Sequence, residues 1–176
     1  MFIGSRIYIS LIFLHTEKEL YLDMSDFGQC YEDFKLYLDQ LTDDSADTIY
    51  EETLVHVCLP DLNTFEDEYP YDWVRNFFSW LWNKKVRIIR TLSLPDSITN
   101  PICEELVEEA ILNRFEIRIF HWRRLDINLD ILTGSKVAHH LTEISLYSSG
   151  NWSVLYHWVS EDGLPKLPKV YFLPKR

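Results

Sequence analysis

The chain has 176 residues, of which 47% are hydrophobic and 15% aromatic, so it is long enough to bury a core and too apolar to be disordered or collagen-like. Its formal net charge of −11 argues against non-specific nucleic-acid binding, and its five glycines argue against a glycine-rich nucleotide site. The three cysteines, odd in number and widely spaced, predict neither disulfides nor a zinc site and favour a reducing, cytoplasmic setting. No apolar run approaches the ~18 residues of a membrane span, so we expect no membrane partner, and no metal or cofactor.

Charge divides the chain into two parts. Residues 1–72 contain 3 basic and 17 acidic side chains, whereas residues 73–176 contain 14 and 11. We predict an acidic arm over residues 1–52 and an α/β domain over residues 53–176. One amphipathic helix is expected in the arm, because apolar residues recur there at intervals of four and three: Phe27, Tyr31, Phe34, Leu38 and Leu41.

From residue 53 onward, segments typical of strands alternate with segments typical of helices. The predicted strands cover residues 53–59, 86–94, 115–121, 141–147 and 169–173. The predicted helices cover residues 71–85 and 97–113, a segment from an Asp126 cap to about Ala138, and one between Asn151 and Asp162. Successive strands begin 26 to 33 residues apart, a spacing typical of β-α-β units, whose crossovers place strands in parallel. The predicted fold class is α/β, a mainly parallel five-stranded sheet with alternating helices.

Two windings of this sheet remain possible. In a doubly wound sheet the helices cover both faces, whereas in a short leucine-rich-repeat-like solenoid they all lie on one side. Leu141-x-x-Ile144-x-Leu146 and Leu167-x-x-Val170-x-Phe172 fit the repeat at a period of 26 residues. The earlier strands are interpreted as fitting it poorly, and the asparagine that ends a repeat strand is missing. We therefore favour the doubly wound sheet.

Loops at the carboxyl ends of parallel strands line the ligand crevice of such a sheet. Small polar and basic residues there could bind a small anion or support hydrolysis, since helix N-termini and arginines favour negative charge. The candidates are Asp96, Ser97, His121, Arg123, Arg124, Ser148, Ser149, Gly150 and Asn151. Ser149, His121 and Asp96 could even form a hydrolytic set, although the same residues also suit helix capping and turns. We assign no catalytic residue.

An aromatic surplus points to a different kind of function. Trp73, Phe77, Trp80 and Trp82 belong to one predicted helix but cannot all face the same side. Trp152 and Trp158 lie on another short predicted helix. Because aromatic side chains are enriched at protein interfaces, these six residues are candidates for contact with a protein partner or a neighbouring domain.

A series of short motifs lies within about residues 55–170. They are Trp80-Leu-Trp-x-Lys-Lys-Val-Arg-Ile-Ile89, Leu94-Pro-Asp-Ser97, Cys103-Glu-Glu-Leu-Val-Glu-Glu-Ala-Ile-Leu112, Phe115-Glu-Ile-x-Ile-Phe-x-Trp122, Leu125-Asp-Ile127, Ile144-Ser-Leu-Tyr-Ser-Ser-Gly-Asn-Trp152 and Gly163-Leu-Pro-Lys-Leu167. This set resembles the non-catalytic region that precedes the protease domain in large, intracellular, multi-domain subtilisin-like serine proteases of fungi. The most specific element is the Leu-Tyr-Ser-Ser-Gly-Asn-Trp run.

The resemblance implies an accessory domain rather than a protease, because the Asp, His and Ser of a subtilisin would lie on a longer chain. From the resemblance we expect a non-catalytic domain that acts by packing on other domains or partners. The alternatives are an anion-binding or hydrolytic α/β domain and a fragment of a larger serine protease.

Overall fold

The computed structural model describes residues 12–14, 17–19, 21–25, 36, 52–61, 71–97 and 101–170. The strands are β1 (Ile12–Leu14), β2 (Glu17–Glu19), β3 (Tyr21–Asp23), β4 (Thr53–Cys58), β5 (Ile88–Leu94), β6 (Glu116–Leu125) and β7 (Glu143–Tyr147). The α-helices are α1 (Tyr71–Asn83), α2 (Glu104–Val107), α3 (Asp130–Thr133) and α4 (Trp152–Val159). A π-helical turn (Glu108–Leu112) continues α2, and 3-10 helices cover Lys136–His139 and Leu164–Lys166.

The strands form one small hairpin and one larger sheet. β1 and β2 pair antiparallel, and β3 to β7 form a five-stranded sheet in which every neighbouring pair is parallel. The predicted α/β class, with a parallel five-stranded sheet and alternating helices, is confirmed. Its strand order follows the chain order without reversal.

One member of the sheet differs from the prediction. The four strands predicted from residues 53, 86, 115 and 141 are β4 to β7, but the fifth is β3, from a segment assigned above to the acidic arm. The predicted strand over residues 169–173 is not formed at Lys169 and Val170, because the Val170 N–H turns back to the Leu167 carbonyl at 3.2 Å. Residues 171–173, and the predicted arm helix apart from Leu36, lie outside the described residues.

The core is built from apolar residues that repeat at the same level on successive strands. One row pairs Leu22, Val57, Leu92, Phe120 and Ile144 across the sheet, and a second pairs Leu54, Ile89 and Ile117. Each central strand therefore follows the spacing of a leucine-rich repeat: Leu54-x-x-Val57-x-Leu59, Ile89-x-x-Leu92-x-Leu94 and Ile117-x-x-Phe120-x-Trp122. All nine side chains are buried. The expectation that the earlier strands fit this repeat poorly is wrong.

The two faces of the sheet differ in burial. The repeat residues are buried beneath the helices, whereas the strand residues between them are half-buried or exposed, and no described helix covers them. α1 and α3 both contact the π-helical turn, so the helices are neighbours. A strand order without reversal, joined by right-handed crossovers, places helices on one side. For the described elements, the expected doubly wound layering is thus corrected to the one-sided, leucine-rich-repeat-like alternative, because a doubly wound sheet has helices on both faces.

The helices are shorter than the sequence predicts, and α1 also ends at Asn83, two residues before its predicted end. The predicted helix over residues 97–113 begins only at Glu104, and the one predicted to reach Ala138 is broken into α3 and a 3-10 helix. Asp126 does not cap α3, because its backbone is left-handed (φ 55°) and its carboxylate accepts hydrogen bonds from Ser149. Among the described residues, no helix combines the length and apolarity needed to cross a membrane.

Candidate functional site

The side of the sheet that no described helix covers, called here the open face, presents two rows of side chains in register. The first row consists of Tyr21, His56, Thr91, Ile119 and Glu143. The second row consists of Asp23, Cys58, Ser93, His121 and Ser145. Every residue of these rows is half-buried except Asp23 and Glu143, which are exposed on the two edge strands. Parallel pairing brings together residues up to 122 positions apart in the chain.

The second row is a continuous band of polar groups. His121 Nδ1 lies 2.6 Å from Ser145 Oγ, a hydrogen bond between neighbouring strands. Cys58 lies beside Ser93 and Asp23, and burial is the largest of the causes that raise the pKa of its thiol. A thiol with a raised pKa is rarely ionised near neutrality and is a poor nucleophile. The side chains of this band can therefore form hydrogen bonds with a bound molecule, but the Cys58 thiol is not a reactive thiolate.

The first row mixes polar and apolar character. Ile119 is half-buried near the middle of the sheet, between Thr91 on β5 and Glu143 on β7. Tyr21 and His56 continue the row toward β3. Protein interfaces combine partly exposed apolar and aromatic groups with hydrogen-bonding groups at their centre. A surface of this composition, held on rigid strands, can contact a polypeptide over several strands at once.

Asp96, a predicted ligand residue, lies inside the molecule instead. The residue is 4% exposed, and its Oδ1 accepts hydrogen bonds from the backbone N–H groups of Ser97 and Ile102, each at 2.8 Å. Its Oδ2 accepts the indole N–H of Trp122 at 2.8 Å. Burial is the largest influence on the pKa of Asp96 and raises it, although these hydrogen bonds oppose the effect. Asp96 therefore ties the end of β5 to β6, and Ser97 is buried beside it.

The two predicted anion-binding arginines each have partners within the chain. Arg124 Nε lies 3.3 Å from Glu104 Oε1, its guanidinium also donates to the Ile102 carbonyl, and it lies 5.2 Å from the centre of the Trp122 ring. Arg123 is exposed and its Nη1 lies 3.8 Å from Asp61 Oδ2. The chain's own carboxylates thus occupy the positions that an external anion would take.

The predicted loop before the last helix is organised by internal hydrogen bonds. Asn151 Oδ1 accepts the Ser153 N–H at 3.0 Å and so caps α4. Gly150 has a left-handed backbone (φ 88°), and its N–H donates to Ser148 Oγ at 3.0 Å. The Ser149 N–H and hydroxyl both donate to the Asp126 carboxylate, which lowers the pKa of Asp126. This loop has the geometry of a capped helix start.

Ser149, His121 and Asp96 do not assemble as a hydrolytic set. His121 contacts Ser145, Ser149 contacts Asp126, and Asp96 contacts Trp122. Of the nine predicted ligand residues, His121 alone belongs to the two rows of the open face.

Most of the predicted interaction aromatics are core residues. Trp73, Phe77, Trp80 and Trp158 are buried, and the Trp158 indole N–H donates to the Ile127 carbonyl at 2.9 Å. Trp82 is half-buried, with the Arg87 guanidinium 3.6 Å from its ring centre. Only Trp152 is widely exposed, at 82%.

Sequence reasoning missed most of the open face. Its signal was present, because the half-buried residues are those that alternate with the repeat residues, as in Val57-Cys58-Leu59 and Phe120-His121-Trp122. Recognising the signal required the correct repeat register in β4, β5 and β6.

Comparison with known proteins gives no match: no family model, no curated protein and no solved structure is similar to this chain. The function must therefore be inferred from the fold and the site.

Proposed function

We propose that this chain is a non-catalytic protein-interaction domain whose partner binds across the open face. The supporting observation is the pair of in-register rows, half-buried and chemically mixed, on a sheet face that no described helix covers. One-sided solenoids offer extended surfaces of this kind for binding. A partner crossing the strands would contact Thr91, Ser93, Ile119 and His121 together.

The resemblance to the leader region of fungal subtilisin-like proteases supports the same proposal. A leader of that kind would pack on a neighbouring domain, and the open face provides a surface for such a contact. The partner would then be a protein or a neighbouring domain, and neither nucleic acid nor a membrane. The acidic balance of the chain, −11, fits this preference.

A site-specific photo-crosslinking experiment tests the proposal. A benzophenone amino acid replaces Thr91 at the centre of the open face, and in a control chain it replaces Glu109, which is exposed on the helix side. We expect a discrete crosslinked protein from the Thr91 position and none from the Glu109 position in cells that express the chain. The captured partner should then lose at least roughly tenfold in affinity for Thr91→Arg and keep its affinity for Glu109→Arg.

Two results would contradict the proposal. One is the same crosslinked products from both positions. The other is an unchanged affinity of the captured partner for Thr91→Arg and for a second open-face variant, Ile119→Arg. Because both residues are half-buried on the open face and lie outside the buried core, either substitution should leave the core intact and lower the melting temperature by only about 2–4 °C.

The contact between His121 and Ser145 favours hydrolysis as a second candidate function. A serine hydroxyl hydrogen-bonded to an imidazole is the first half of a catalytic triad. Among the described residues, however, no carboxylate forms an ion pair with His121 to orient its ring. Ester turnover that Ser145→Ala abolishes, while Ser93→Ala retains it, would establish the hydrolytic candidate. Turnover that survives Ser145→Ala excludes this dyad as its source.

A further inference from the structure

The last helix, α4, exposes an apolar stripe that the proposed function does not use. Trp152, Tyr156 and Val159 are 82%, 75% and 72% exposed. They are spaced by four and three residues, so they lie along one side of the helix. The other side of α4 is anchored, because Trp158 is buried and donates to the Ile127 carbonyl. The stripe is therefore held rigidly on the surface.

The exposed area of this stripe is large enough to form the centre of an interface. An aromatic side chain buries roughly 150–250 Å². The two exposed aromatic side chains together with the smaller Val159 therefore leave on the order of 400 Å² of mainly apolar surface in water. This is about half of the ~800 Å² that each partner buries in a standard interface, where a polar rim supplies the rest. Ser149 and Ser153 are exposed beside the stripe and can contribute to such a rim.

The order of residues in the stripe is complementary to itself. In an antiparallel pair of α4 helices related by a two-fold axis, Trp152 of each chain would meet Val159 of the other. Tyr156, near the middle, would meet its own copy. The largest side chain thus faces the smallest, and the central pair is aromatic, which suits an isologous contact. The stripe contains no charged residue, so bringing two copies together buries no like charges.

We propose that two copies of this chain associate through α4, with Tyr156 near the two-fold axis. No residue of the stripe belongs to the two rows of the open face, so the proposed dimer contact and the proposed partner site use different residues. The association is driven by apolar burial and opposed by repulsion between two chains of charge −11. Added salt, which screens that repulsion, should therefore strengthen the dimer.

Sedimentation velocity and light scattering on the full chain test the association. We expect the mass to rise with protein concentration from 21.1 kDa to twice that value. Trp152→Ser should raise the dimer dissociation constant at least roughly tenfold without lowering the melting temperature, because the side chain is exposed. A matched surface change on α1, Arg75→Ser, should leave the dissociation constant unchanged.

A crosslinking experiment tests the axis. In a background in which Cys30, Cys58 and Cys103 are replaced by serine, Tyr156→Cys should oxidise to a reducible species of doubled mass, whereas Ser153→Cys on the same helix should do so far less. The proposal is overturned if the mass stays at 21.1 kDa up to hundreds of micromolar protein. It is also overturned if a dimer forms that Trp152→Ser does not weaken, because the copies would then meet through another surface.

Discussion

Replacing Asp96 should show how strongly one buried carboxylate holds the ends of β5 and β6 together. Asp96→Ala removes the acceptor of three N–H groups, of which those of Ile102 and the Trp122 indole belong to the two most deeply buried residues and Ser97 supplies the third. Each buried donor left without a partner costs about 1–3 kcal/mol. We therefore expect the free energy of unfolding to fall by about 2–6 kcal/mol. Asp96→Asn keeps one side-chain oxygen and should cost about half as much.

The same residue gives a prediction about pH with a definite sign. Burial raises the pKa of Asp96 in the folded chain, so the folded state binds its proton more tightly than the unfolded chain does. Its contribution to stability is fully present below the ordinary aspartate pKa of about 3.9 and is lost as pH rises through the higher folded value. Asp96→Asn cannot titrate. The difference in unfolding free energy between the wild type and Asp96→Asn should therefore shrink as pH rises above about 4.

Urea denaturation followed by far-UV circular dichroism and tryptophan fluorescence measures both effects. Asp61→Asn is the matched control, because Asp61 pairs with the exposed Arg123 and its loss should change stability by about 0.5 kcal/mol or less. The reasoning is refuted if Asp96→Ala is as stable as this control. A gap between wild type and Asp96→Asn that widens with rising pH would refute the sign of the pKa shift.

Two further predictions test the burial of neighbouring residues. Phe120 is fully buried, whereas Ile119 is half-buried on the open face. Phe120→Ala should therefore lower the free energy of unfolding by about 3–5 kcal/mol and Ile119→Ala by about 1 kcal/mol. Equal costs would contradict the one-sided burial of β6. Burial raises the pKa of the half-buried Cys58 thiol, and Cys103 is exposed, so iodoacetamide should alkylate Cys58 at least roughly tenfold more slowly than Cys103 near neutral pH. Peptide mass spectrometry resolves the two sites, and faster labelling of Cys58 would show that the open face does not shield it.

The candidate site could be predicted only in part. His121 was identified from its place at a strand end, but its partner Ser145 is 24 residues away, and the pairing depends on the register between β6 and β7. Asp96, Arg123 and Arg124 were expected at a ligand site because charged loop residues suggest one. The structure shows that each has partners within the chain, a distinction that residue type cannot make.

The sequence alone determined that the molecule is an α/β protein with parallel strands. Regular alternation of β-branched runs with amphipathic segments leaves little freedom in that choice, because each strand must be followed by a crossover before it can pair in parallel. The spacing of the apolar residues in β4, β5 and β6 likewise identifies the positions that are buried.

Only the tertiary structure determines which segments join the sheet and which aromatic side chains are buried. β3 has only three residues, but it is the first strand of the five-stranded sheet because its backbone pairs with β4 and its Leu22 extends a core row. The strand order places the described helices on one side, so that none of them covers the open face. The same packing buried Trp73 and Trp80 and exposed Trp152, because burial depends on which neighbours surround an aromatic side chain and local spacing does not specify those neighbours.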